Sequence, residues 1–464
     1  MRACIADRML CSGMRGNMAE STDILQEKEQ ETQEKRNARR RRRIRNQIFA
    51  YIGMVFFLVC LVGLVGGGVW YLGRQLKQNQ PNPGDMASNI DDLIGTEEDL
   101  VKPESIPETI PELTPEQKLD EIINAAIEVM PLEDKVAGLF IVTPESITGV
   151  GTAVRAGDGT KDALVKWAVG GIIYFKKNIQ SETQLKEMID NTTLYSRYPL
   201  FIAVDEEGGS VSRIAEAGLA ENVGSAGEIG ATEDTSAAYS AGSSIAEYLT
   251  SFGFNLDFAP VADVANVEGS IIGDRAYGSD PAKTAEMVAF VVAGLEENGV
   301  SACLKHFPGL GSTTEDTHQG MANTERTAEE FRAEEFIVFS TGIEAGADFV
   351  MVSHLAVPAF TGDNTPASLS EQVVTDILRK ELGFNGVIIT DAMNMGAITE
   401  YYEADQAAIL ALRAGCDMIL MPDDFETAYN GVLEAVQSGI ISEERINDSL
   451  RRIYRIKYAD KLVE

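Results

Sequence analysis

GVIITD, residues 386–391, opens on glycine, passes through four β-branched residues and ends on a carboxylate. A strand with one wet face alternates polar and apolar residues, and this one does not. An unbroken apolar run of this length fits a strand covered on both faces, as in a parallel sheet. Seven more such runs recur: LFIVT (139–143), GGIIYF (170–175), LFIAV (200–204), NLDFAPV (255–261), ACLKHF (302–307), DFVMVS (348–353) and DMILM (417–421). Between them lie helical patterns such as SETQLKEMIDNTTLYSR, PAKTAEMVAFVVAGLEENG and EADQAAILALRAG. Strand alternating with helix in this way predicts an α/β fold, a (β/α)8 TIM-type barrel over 115–464. A doubly wound open sheet is the alternative, but no G-x-G-x-x-G fingerprint follows the first strand.

Barrel active sites collect at the carboxyl ends of the strands. The polar residues there are Asp205, Asp263, Lys305, His306, His354 and Asp391. The chain has three histidines, and all fall at strand ends or just beyond. Asp391 reads equally as a nucleophile, an electrostatic stabiliser, a metal ligand or a helix cap. Asp316 and His318 lie in GLGSTTEDTH, a glycine- and threonine-rich loop expected to be mobile, with no packing role of its own. An aspartate beside a histidine orients the imidazole and raises its basicity, so the pair can give and take a proton. Arg213 follows Asp205 by eight residues, and Arg275 sits in GDRAYGSDP. Aspartate and guanidinium near a rim suit a polyhydroxylated ligand. No H-x-x-x-H or H-E-x-x-H run supports zinc, and neither a metal nor a cofactor is expected.

The chain is acidic but unevenly so. Its net charge is −33, yet residues 1–80 carry 14 basic against 7 acidic side chains. The strongly acidic remainder argues against a nucleic-acid partner. Residues 48–72, IFAYIGMVFFLVCLVGLVGGGVWYL, hold no charge over 25 positions, enough to span a bilayer. Six arginines crowd positions 39–45 just before it. The positive-inside rule then predicts a single-pass membrane protein, with residues 1–47 as a basic, disordered cytoplasmic tail and the body outside. The run is too long, and starts too late, for a cleaved signal peptide. Residues 73–114 read as an extracytoplasmic linker, proline-rich and acidic from residue 78 onward. The five cysteines make no disulfide or metal spacing, and Cys303 and Cys416 read as core.

Together these segments resemble glycoside hydrolase family 3, in its single-domain β-N-acetylhexosaminidase branch. The matching segments are VDEEGGSVSR (204–213), GDRAY (273–277), KHFPGLGSTTEDTH (305–318) and TD (390–391). The long K-H-F-P-G…D-x-H run is the most specific, because it fixes residue types and spacing together. The resemblance implies Asp391 as nucleophile and His318 as general acid/base with Asp316 as its partner. It implies Asp205, Arg213, Arg275, Lys305 and His306 as sugar contacts. A retaining double displacement on a carbohydrate substrate follows, with terminal β-linked N-acetylglucosamine of peptidoglycan the expected target for an outward-facing enzyme. The same resemblance leaves a β-glucosidase, a β-xylosidase, a glycoside phosphorylase or a non-catalytic sugar-binding protein as alternatives. Two positions depart from the family pattern: Leu310 replaces a histidine and Thr317 a serine. His354 matches a family histidine on strand six and is assigned no catalytic role.

Overall fold

A computed structural model describes residues 113–458. The expected tail (1–47), the expected span (48–72) and all but the last two residues of the expected linker (73–114) lie outside the described residues. Among the described residues no helix is long and apolar enough to cross a membrane.

Every apolar run becomes a barrel strand. They are β1 (Phe140–Val142), β2 (Gly171–Ile173), β3 (Phe201–Val204), β4 (Leu256–Asp257), β5 (Ser301–Phe307), β6 (Phe349–Val352), β7 (Val387–Thr390) and β8 (Ile419–Leu420). All their residues except Ser301 are buried, which is why polar alternation is missing from the sequence. The sheet order is β8-β1-β2-β3-β4-β5-β6-β7, and every pairing is parallel. Its two ends meet through a parallel bridge between Ile389 and Met418, reinforced by Thr390 N–H donating to the Met418 carbonyl at 3.2 Å.

The longer helices begin where the sequence supplies caps. Ser181 accepts from Gln184 N at the start of α2 (Glu182–Tyr195), after α1 (Pro115–Glu128). Asp234 opens α3 (Thr235–Phe252), and Asp280 with Pro281 opens α4 (Pro281–Glu296). Each such side-chain cap satisfies an orphan N–H and contributes about 1 kcal/mol. Further along come α5 (Ala404–Ala414), α6 (Phe425–Gln437) and α7 (Glu443–Lys457).

Side chains fill the barrel. Phe201 of β3 and Phe349 of β6 meet edge to face, 5.0 Å between ring centroids. Beneath them Lys457, the last residue of α7, donates to the carbonyls of Gly170 and Pro199 at 2.8 and 2.7 Å. Its Nζ lies 4.6 Å from the Phe201 ring centre, and burial lowers its pKa to about 7. The amino end of the barrel is thus plugged. Cys303 and Cys416 are buried free thiols, as core placement required.

Candidate active site

Just past β3 the chain makes a hairpin, Glu206–Gly208 against Val211–Ser212. Gly208 and Gly209 turn it, at φ of 89° and 59°. Two consecutive residues at positive φ call for glycine. The turn sends two adjacent glutamates to different partners. Glu206 accepts from Ile214 N (2.7 Å), Ala215 N (3.0 Å) and the Tyr248 hydroxyl (3.0 Å). Burial raises its carboxyl above the usual range, and these donors only partly offset that. Glu207 instead accepts from Arg275 through Nε and a terminal nitrogen, at 2.8 and 2.7 Å, and lies 2.6 Å from Lys305 Nζ. Burial works against its charge too, but Lys305 and Arg275 outweigh it and hold the carboxyl down at about 2.

Lys305 is itself buried, and Nζ also reaches Asp205 Oδ1 at 2.8 Å. Burial alone would lower its pKa, yet Asp205 and Glu207 hold it above the usual lysine range. Asp205, Lys305, Glu207 and Arg275 therefore form one paired array. Its geometry is fixed before any ligand arrives. Arg213 stands apart from it. Its guanidinium lies 5.9 Å from the Phe175 ring centre, and its buried Nε has no hydrogen-bond partner. A buried donor left open in this way fits a group that donates its hydrogen bond to a ligand.

β5 ends on Lys305 and His306 in succession before Phe307. His306 Nδ1 lies 2.7 Å from Asp263 Oδ2. The carboxylate can only accept, so Nδ1 carries the proton and Nε2 is left without a partner among the described residues. Asp263 also takes the N–H groups of His306 (3.1 Å), Leu310 (2.5 Å) and Gly311 (3.2 Å). One carboxylate thus ties the end of β5 to the root of the next loop. Leu310, at the histidine position of the family, is buried in the core and reaches the network through its backbone alone.

Asp391 follows β7 directly. Its N–H donates to the Val352 carbonyl at 2.8 Å, and its Oδ1 accepts from Ala392 N at 2.7 Å. Burial opposes its charge, but the imidazoles of His306 and His354, the Ala392 N–H and Lys305 together lower its pKa below the usual aspartate value. His354, fully buried, sits between Ser368 Oγ (2.8 Å, to Nδ1) and the Ala392 carbonyl (3.0 Å, to Nε2). A carbonyl only accepts, so Nε2 bears the proton and Nδ1 receives the serine hydroxyl. Burial depresses its pKa, while the Asp391 charge and the Ala392 carbonyl pull it the other way. It feels Asp391, His318 and His306 at once, so these groups share one electrostatic neighbourhood.

The loop bearing His318 is not the loose segment its composition predicts. Ser312, Thr313, Thr317 and Thr324 are buried in it. Thr313 Oγ1 donates to the Asn323 carbonyl and Thr324 Oγ1 to the Ser312 carbonyl, which laces its base. Its tip docks on the segment after Asp391, with Ala397 N donating to the Thr317 carbonyl at 3.1 Å and Gly396 N to the His318 carbonyl at 3.4 Å. Small hydroxylated residues look mobile in a sequence, but Ser312, Thr313 and Thr324 pack here because their own loop satisfies them, whereas the buried Thr317 hydroxyl has no partner among the described residues. The His318 side chain is nevertheless 71% exposed. Its Nδ1 lies 2.9 Å from Asp316 Oδ1. Asp316 also accepts from His318 N and from Gln319 Nε2. Burial opposes its charge more than any one contact favours it, but the His318 and Gln319 contacts together lower its pKa.

Of the eight residues expected at the site, Asp205, Lys305, His306 and Asp391 lie at strand ends, and Arg213, Arg275, Asp316 and His318 lie farther along the loops that follow strands. Asp205, Lys305 and Arg275 are joined directly or through Glu207; His306 and Asp391 lie beside them; Asp316 and His318 ride the docked loop. Sequence reasoning left out Glu207 and gave Asp263 only a place on the rim. The signals for the first were its place before two glycines and within the VDEEGGSVSR match, and for the second its position after a strand.

A nearly closed parallel barrel with paired charges, a low-pKa carboxylate and an aspartate–histidine pair on one rim is the layout of a (β/α)8 enzyme. Comparison with known proteins narrows the class. The description "Glycosyl hydrolase family 3 N terminal domain" matches residues 131–456, and the chain belongs to this family of glycosyl hydrolases. A beta-hexosaminidase of Idiomarina loihiensis is 37% identical over 276 residues, covering 59% of this chain and 82% of its own length. The solved glycoside hydrolase family 3 beta-N-acetylglucosaminidase of a Paenibacillus species superposes with a TM-score of 0.68 at 33% identity, over 72% of this chain and 64% of that one. A glycosyl hydrolase of the same family from Mycobacterium smegmatis gives 0.62 at 30% identity, over 71% of this chain and 98% of its own.

Proposed function

We propose that this chain is a retaining, exo-acting β-N-acetylhexosaminidase that removes terminal β-linked N-acetylglucosamine from cell-wall glycans or their fragments. The observation that carries the reading is the pairing of two unlike groups at one rim. Asp391 is an ionised carboxylate held still at a strand end, and His318 is an exposed imidazole backed by Asp316.

In this reading Asp391 attacks the anomeric carbon and the C–O bond to the leaving group breaks. His318 gives that oxygen its proton. The same imidazole, now neutral, takes a proton from water as the water displaces Asp391 from the sugar. Most retaining glycosidases use two carboxylates about 5 Å apart. Here an imidazole replaces the second, and it can act as both acid and base near neutral pH. It also adds no negative charge beside Asp391. Asp205, Lys305, Arg275, Arg213 and His306 bind the sugar hydroxyls, with Glu207 and Asp263 holding them in place.

The cell-wall assignment leans on the sequence before residue 113. An uncharged run at 48–72 preceded by six arginines supports an anchor with its N-terminus in the cytoplasm and the barrel outside. An outward-facing enzyme of this class meets wall glycans. The test is release of 4-nitrophenol by the full-length protein from its β-N-acetylglucosaminide and its β-glucoside, side by side. Release from the first alone is expected. Release mainly from the second would discard the hexosaminidase reading and the wall role with it.

A further inference from the structure

Asp391 is followed within five residues by a single helical turn, Gly396–Thr399. The first N–H groups of any helix lack intrahelical acceptors. In this turn Gly396 N and Ala397 N find theirs in the carbonyls of His318 and Thr317, on the loop that carries the imidazole. The contact is close. A Cβ placed on Gly396 would stand 2.9 Å from the His318 carbonyl oxygen, 3.1 Å from Gly320 N and 3.2 Å from the Gln319 carbonyl carbon. These are backbone atoms, which cannot swing aside as the end of a side chain could.

The backbone at Gly396 does not itself need glycine. The residue is helical and is not among the glycines at positive φ. Alanine could adopt this backbone conformation without strain. What excludes alanine is the loop's approach.

We infer that Gly396 is a positioning residue: its bare α-carbon lets the loop seat His318 over Asp391, so that the strand end bearing the nucleophile also sets the place of the acid/base. The inference rests on the proposed role of His318. It predicts that a single methyl group at Gly396 displaces the loop and impairs proton transfer while leaving the sugar pocket on β3 and β5 intact.

The test uses the full chain and Gly396→Ala with two N-acetylglucosaminides. A methyl leaving group needs a proton, whereas a 2,4-dinitrophenyl leaving group does not. For the variant, kcat/KM on the methyl glycoside is expected to fall about 30-fold, and on the dinitrophenyl glycoside by less than about threefold. Azide, which attacks without a general base, should raise the variant's kcat on the dinitrophenyl glycoside towards that of the wild type with azide. Inhibition by free N-acetylglucosamine should be unchanged, and the melting temperature should stay within about 2 °C. Equal losses on both glycosides, no loss on either, weakened inhibition by the sugar, or a collapsed melting temperature would each overturn the inference. A wild type that cleaves neither glycoside would instead overturn the functional reading, and this inference with it.

Discussion

The two halves of the site are built in opposite ways. At the ends of β3 and β5 the charged groups are buried or half-buried and pair with one another, as buried Lys305 does with Asp205 and Glu207. On the loop after β5, His318 is mostly exposed and its one ion-pair partner is two residues away. Burial makes the first half rigid and costly to disturb, because each lost partner leaves a charge stranded. Exposure makes the second half cheap to alter but dependent on where its loop is docked. Sugar binding and proton transfer therefore have different sensitivities to mutation and pH.

The largest contrast should come from His318→Ala. Its kcat/KM on glycosides with poor leaving groups should fall by about 10²–10⁴, the usual worth of a general acid. Its melting temperature should stay close to wild type, since an exposed side chain supports little of the fold. A large drop in stability instead would erase the contrast.

Glu207→Gln should do the reverse. It leaves Lys305 and Arg275 short of a carboxylate, at a cost of about 3 kcal/mol in urea unfolding at pH 7. Glu207 has a folded-state pKa of about 2 against an ordinary 4.5. Its charge therefore stabilises the fold fully above pH 4.5, and that contribution is lost as the pH falls from 4.5 towards 2. Wild-type stability should drop across this window, and the variant's curve should be flatter there. Parallel curves would show that Glu207 does not carry the array.

The smallest effect tests the departure from the family pattern. Leu310→His places an imidazole where the chain now buries a leucine. The expected cost is about 1–3 kcal/mol of stability with little change in kcat. A several-fold gain in kcat would mean that Leu310 weakens the enzyme.

The barrel was legible because buried parallel strands leave mostly apolar runs, and this held even for β8, two residues long, and for β4, whose run is broken by the buried Asp257. The rim residues were legible because so few histidines and charged residues end those runs. Glu207 was not, because Glu206 beside it has the same chemistry, and the glycine turn alone decides which of the two meets Arg275. The docking of the loop was not legible either. It runs through backbone carbonyls and N–H groups, which no side chain records, and its one trace is the absence of a side chain at Gly396. The tail, the span and nearly all of the linker lie outside the described residues, so the anchor rests on sequence alone.

The central claim is that Asp391 becomes covalently bonded to the sugar. The direct measurement is to incubate the protein with 5-fluoro-β-N-acetylglucosaminyl fluoride, which forms the glycosyl-enzyme readily and releases it slowly, then digest it and weigh the peptides. The peptide containing GVIITD is expected to gain the mass of one fluorosugar, with fragmentation placing it on Asp391. A label on another residue, or turnover of the fluoride with inversion and no label, would contradict it.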